Sequence, residues 1–77
     1  MRIIWTRHAL ERAAERGISK EDAEAVLFNH HTSLPATPSG TCYIGQTPSG
    51  DTLQICIVGN MRDGTIARIK TVFIKEG

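Results

Sequence analysis

The stretch TRHALERAAERGIS, Thr6 to Ser19, decides the fold. Thr6 can cap a helix with its hydroxyl, Gly17 can end one in the left-handed conformation, and Ser19 with Asp22 makes a capping box that opens another. The spacing predicts one helix from about Arg7 to Arg16 and a second from about Lys20 to Asn29, meeting at Gly17 and Ile18. At about 100° per residue, Leu10, Ala13 and Gly17 fall together with Ala9 and Ala14 at their margins, while His8, Arg12 and Glu15 share the opposite side. Such an alanine-rich stripe lets a helix sit close against a sheet, so it is the expected buried contact. The second helix is acidic at its start, as its dipole favours, and Ala23, Val26 and Leu27 form its buried stripe. His30 and His31 then stand at its C-terminal end, where imidazoles cap carbonyls without any functional requirement.

Upstream of that stretch, Arg2 to Trp5 is a short β-branched and aromatic run, read as a strand that enters the Thr6 cap. Downstream, Thr32 to Gly40 carries two prolines and little apolar content, and reads as a connecting loop. Thr41 to Thr47 alternates as a strand, Pro48 to Asp51 is a turn, and Thr52 to Gly59 is strongly β-prone, with Leu53, Ile55 and Ile57 on one face. A turn at Asn60 to Gly64 leads to a last strand, Thr65 to Lys75. Strict alternation there sets Ala67, Ile69, Thr71 and Phe73 toward the helices, against Ile66, Arg68, Lys70, Val72 and Ile74. The expected architecture is α+β: two N-terminal helices on one face of a small antiparallel sheet, a three-stranded meander with the short N-terminal strand beside it.

Seventy-seven residues make a single domain, residues 1–77, near the lower size limit for a chain that folds alone. An apolar fraction of 40% with no long apolar run describes a soluble chain with no membrane segment. The first residues, MRIIW, lack the pattern of a secretion signal, so a cytoplasmic location is expected. A net charge of +1 does not argue for nucleic acid by itself, although Arg2, Arg7, Arg12 and Arg16 all precede residue 17. Cys42 and Cys56 are too few and too far apart for a disulfide framework, so both are expected as reduced sheet residues. A zinc site from His30, His31, Cys42 and Cys56 has suitable ligand types but no recognised spacing; neither metal nor cofactor is expected.

At HALERAAERGIS, His8 to Ser19, the chain resembles a small bacterial family with no assigned function, the domain of unknown function numbered 4258. The acidic second helix, the YIG strand at Tyr43 to Gly45 and a final strand carrying Thr71 extend the resemblance over nearly the whole chain. That family is in turn similar to compact RNA-cleaving toxins of the RelE and BrnT type. The resemblance implies a RelE/barnase-like fold, RNA as substrate and a small neutralising antitoxin protein as partner.

Cleavage of that type is metal-independent: the 2′-hydroxyl attacks the adjacent phosphorus. It needs a proton acceptor, a proton donor, and fixed positive charge on the phosphate. On the toxin reading, His8 moves the proton, since no other side chain of the first helix exchanges one near neutrality. Arg12, one turn on, offers a planar guanidinium to two phosphate oxygens. Thr71 adds a hydroxyl donor. Arg16, Tyr43 and Lys70 are the candidate RNA contacts, Tyr43 by stacking on a base. Under strict alternation Lys70 and Thr71 cannot share a face. Each residue also has a plain structural role. Arg7 with Glu11 and Arg12 with Glu15 pair along the helix, Arg16 pairs with an acid of the second helix, and a strand tyrosine packs. Two readings from different classes stand: a toxin-type endoribonuclease, and a non-catalytic interaction module, monomer or homodimer, that pairs through its sheet.

Overall fold

A computed structural model describes residues 2–37, 39–59 and 66–75. In chain order the elements are β1 (Arg2–Trp5), α1 (Arg7–Glu15), α2 (Lys20–Asn29), β2 (Thr32–Pro35), β3 (Thr41–Gln46), β4 (Thr52–Val58) and β5 (Ile66–Ile74). The strands form one sheet in the order β1-β5-β4-β3-β2, with β1 parallel to β5 and every other pair antiparallel. Both helices lie on one face, α1 over β5 and α2 over β3 and β4. The chain is α+β. The expected RelE/barnase-like arrangement on a three-stranded antiparallel meander is nevertheless corrected: the sheet is five-stranded and mixed.

The added strand is β2, which occupies the first part of the expected loop. Its four residues are all exposed and carry no hydrophobic alternation. Backbone pairing to β3, Thr32 opposite Ile44 through Pro35 opposite Thr41, defines it. Pairing of that kind leaves no mark in side-chain chemistry, and Pro35 suits an edge strand that needs no donor on its outer side. The expected turn at Asn60 to Gly64 lies outside the described residues.

Both helix caps form. Ser19 accepts from the Asp22 N–H at 3.1 Å, and Thr6 accepts from the Ala9 N–H at 3.2 Å while donating to the Ile69 carbonyl at 2.7 Å. Pinned at both ends, Thr6 sets the rotation of α1. Ala9 and Ala13 face the sheet and are buried, whereas Leu10, expected at the centre of the stripe, is 41% exposed. In α2 the expected Ala23, Val26 and Leu27 are all fully buried. Below its end lies Gly45, where a Cβ would approach the His30 Cα to 3.1 Å and the Val26 Cγ1 to 3.3 Å. The missing side chain lets α2 settle on β3.

A β-bulge decides what β5 presents. Cys56 stands opposite Thr71 and Ile57 opposite Ile69, so Lys70 is the extra residue. An extra residue reverses the parity of everything beyond it. Ala67, Ile69 and then Val72 are fully buried under the helices, while Lys70, Thr71 and Phe73 belong to the other face. The expected helix-facing positions of Thr71 and Phe73 are thereby corrected. Leu27, Leu53, Ile55, Ile57, Ile69, Val26 and Val72 are the largest fully buried side chains, with Ile3 and Trp5 packed against them. The Trp5 indole donates to Glu24 at 3.0 Å and ties β1 to α2.

The cysteines are corrected as well. Cys42 and Cys56 sit directly opposite on β3 and β4 and form a disulfide, with Cα atoms 3.9 Å apart. A separation of 14 residues says nothing of pairing until the hairpin register brings the two together. No helix among the described residues is long and apolar enough to cross a membrane.

Candidate functional site

The helices cover one side of the sheet, and no other helix or strand among the described residues covers the second, which we call the bare face. Register and alternation assign Arg2 and Ile4 of β1, Ile66, Arg68, Lys70, Thr71 and Phe73 of β5, and Thr52, Gln54, Cys56 and Val58 of β4 to that bare face. Cys42, Ile44 and Gln46 of β3, with Thr32 and Leu34 of β2, complete it. Lys75, just past β5, joins them: its backbone N–H donates to the Thr52 carbonyl at 2.8 Å and its Nζ to the Gln54 Oε1 at 3.4 Å.

Charge on this face is of one sign. Arg2, Arg68, Lys70 and Lys75 are its charged side chains among the described residues. The described carboxylates lie elsewhere: Glu11 and Glu15 on α1, Glu21, Asp22 and Glu24 on α2, and Asp51 in the β3–β4 turn. On α1 they neutralise the arginines, since Arg7 pairs with Glu11 at 3.3 Å and Arg12 with Glu15 at 2.8 Å. A net charge near zero thus conceals a separation among the described residues, with mixed charge on the helices and cations alone on the bare sheet.

Two hollows formed by described residues open on that face. One, of about 330 Å³, is lined by Leu34, Thr37, the Cys42–Cys56 disulfide, Gln54, Lys70 and Thr71 among others. Its Lys70 is steadied by donating to the Ser39 carbonyl at 3.0 Å. The other, of about 370 Å³, is lined by His31, Thr32, Ile44, Thr52 and Lys75.

The residues singled out from sequence are divided between the two sides. His8 and Arg12 lie one turn apart on the outer surface of α1, His8 exposed and Arg12 half-exposed and paired with Glu15. Thr71 belongs to the opposite face of the sheet, so the three do not share a site. Arg16, at the end of α1, is exposed and makes no ion pair among the described residues, so its expected partner on α2 is absent. Tyr43 is buried beneath the end of α2, its ring 4.4 Å from that of His30. His30 is itself committed, with Nδ1–H donating to the Leu27 carbonyl at 2.9 Å, the capping role expected of it. Lys70 and Thr71, which strict alternation separates, come together through the bulge. No cluster of potential metal ligands occurs among the described residues.

Sequence reading missed Arg2, Arg68, Lys75 and His31 as a set. They are far apart in the chain, and only the sheet order sets them on one face. A family model described as Domain of unknown function (DUF4258) matches residues 5–74. No curated protein and no solved structure matches the chain, and the wider likeness to RelE- and BrnT-type toxins is not shown.

Proposed function

The chain belongs to the DUF4258 family, and from that premise we propose that it acts on single-stranded RNA laid across the bare face of its sheet, cleaving it by attack of the 2′-hydroxyl in the manner of small RNA-cleaving toxins. The observation that carries this reading is the separation of charge. Arg2, Arg68, Lys70 and Lys75 present cations where no described carboxylate competes for them. Such a surface attracts a phosphate backbone by releasing its counterions. Between the cations stand groups suited to sugars and bases: the Thr71 hydroxyl, the Gln54 amide and the half-buried ring of Phe73. A fixed cation also stabilises the charge that develops on phosphorus as the new bond forms. A small neutralising protein would act by covering the same face.

His8 and Arg12 are not used in this reading. Their side of the molecule carries Glu11 and Glu15, which repel phosphate and already occupy both neighbouring arginines.

A second reading has its own observation. Val58 and Ile66, 48% and 52% exposed, lie at one end of the bare face, as an interaction module pairing through its sheet would present them. Binding of a short labelled RNA, followed by fluorescence anisotropy across a salt series, separates the two. RNA binding whose log K falls by about 0.7 per phosphate neutralised supports the first. Absence of binding, with a dimer in sedimentation at the same protein concentration, supports the second.

A further inference from the structure

We propose that the hollow between the start of β2 and the end of β5 is the point at which the RNA backbone is cut, His31 moving the proton and Lys75 holding the phosphate. The inference rests on the RNA reading above and assigns chemistry to one part of that face. Of the three histidines in the chain, His8 lies on α1 and His30 is turned in against Tyr43 and the Leu27 carbonyl. His31 lines a hollow on the cationic face.

The backbone holds both residues in place. The His31 N–H donates to the Ile44 carbonyl at 3.0 Å, and the Lys75 N–H to the Thr52 carbonyl at 2.8 Å. The His31 ring is oriented by a 3.0 Å bond between Nδ1 and the Thr32 hydroxyl, which leaves Nε2 as the nitrogen for substrate. Buried Ile44 forms an apolar floor, and Thr52 adds a hydroxyl at the rim. Gln54 accepts from Lys75 and also lines the hollow of Lys70 and Thr71, so one strand of RNA can pass from the first hollow to the second across this amide.

The step balances without a metal or cofactor. Nε2 of neutral His31 takes the 2′-hydroxyl proton as that oxygen forms a bond to the adjacent phosphorus. The bond from phosphorus to the 5′ oxygen breaks, its electron pair leaves with that oxygen, and water protonates it. The hydroxide left behind is neutralised by the proton that His31 gives up. The products are a 2′,3′-cyclic phosphate and a 5′-hydroxyl. Lys75 offsets the charge on the five-coordinate phosphorus.

The test uses the full chain and a short single-stranded RNA, with binding read by anisotropy and products by mass. The parent is expected to yield 2′,3′-cyclic phosphate ends in chelator, and to bind but not cut the same oligonucleotide made of DNA. His31→Ala should bind RNA within about twofold of the parent and cleave it roughly 10²–10⁴-fold more slowly. His31→Gln, which keeps polarity and bulk at this exposed position but moves no proton, should match it, and so guards against a folding defect in the alanine variant. Lys75→Ala should weaken both binding and cleavage. Cleavage at the parental rate by both His31 variants overturns the assignment, and so does loss of cleavage in His8→Ala while those variants remain active. RNA bound by the parent but never cut overturns this inference and spares RNA binding. Failure of the parent to bind RNA removes both.

Discussion

Thr6 and Ile69, 63 residues apart, are joined by a 2.7 Å hydrogen bond from the threonine hydroxyl to the isoleucine carbonyl, while the same oxygen caps α1. One side chain therefore links the strand-to-helix junction at the start of the chain to the residue preceding the bulge in β5. It fixes which stripe of α1 meets the sheet.

Thr6→Ala removes the cap and the tie together. A lost cap costs about 0.5–2 kcal/mol, and an unpaired carbonyl adds to it. The variant should unfold in urea with a loss near the upper end of that range. Serine at the same position should recover most of it. Equal stability of all three proteins would show that Thr6 does not set the helix.

The bulge makes a prediction opposite to simple alternation. Val72 is fully buried and Thr71 is on the bare face, so Val72→Ala should cost roughly 1.5–3 kcal/mol. Thr71→Ala should stay within about 0.5 kcal/mol. Thermal or denaturant melts of the two variants decide the parity, and the reverse ranking would restore the unbulged strand.

The Cys42–Cys56 bridge closes a loop with a separation of 14 residues, a size for which chain entropy gives about 3 kcal/mol. Reduction, or the double change Cys42→Ser with Cys56→Ser, should lower the unfolding free energy by an amount of that order. Intact mass of the untreated protein provides the independent check. A mass two hydrogens above the bridged value, with melting unaffected by reductant, would mean free thiols.

Lys70→Ala removes one cation from the bare face without touching the core. If RNA lies there, the salt dependence of binding should flatten by about 0.7 in the logarithmic slope, with weaker affinity for every RNA sequence alike. Arg7→Ala, on α1, should leave the slope unaltered. Equal slopes for the parent and both variants would place the RNA elsewhere.

What could be read from the sequence was local. Thr6, Ser19 and the stripe of Ala23, Val26 and Leu27 announce the helices because caps and periodicity act within a few residues. Arg2 to Trp5 was legible as a strand from its β-branched and aromatic side chains alone. β2 was not, because all its residues are exposed and only its bonding to β3 makes it a strand. Phe73 and Val72 were exchanged because a period-two rule has no means of seeing an extra residue at Lys70. The disulfide waited on the register that sets Cys42 opposite Cys56. For the candidate site, Thr71 and Lys70 were singled out from the sequence, yet their shared face was not. Arg2 and Arg68 come together only when β1 pairs with β5, and Lys75 and His31 share the same sheet face, at its other end, only through the strand order.

That parallel pairing, Arg2 through Trp5 alongside Ile66 through Ile69, has a consequence for how the protein is made. As the chain leaves the ribosome, β1 emerges well before β5, its hydrogen-bonding partner, with the helices and three strands between them. Neither α1 nor α2 can occupy the backbone groups β1 offers, so until β5 is made the backbone of β1 stays unpaired, even with Trp5 tied to Glu24 of α2. Structures closed by such distant contacts fold slowly for their size, and exposed apolar strands are what chaperones hold. A substitution that weakens β1 should therefore show itself first as lost yield during expression, before it shows in the melting temperature of whatever protein survives.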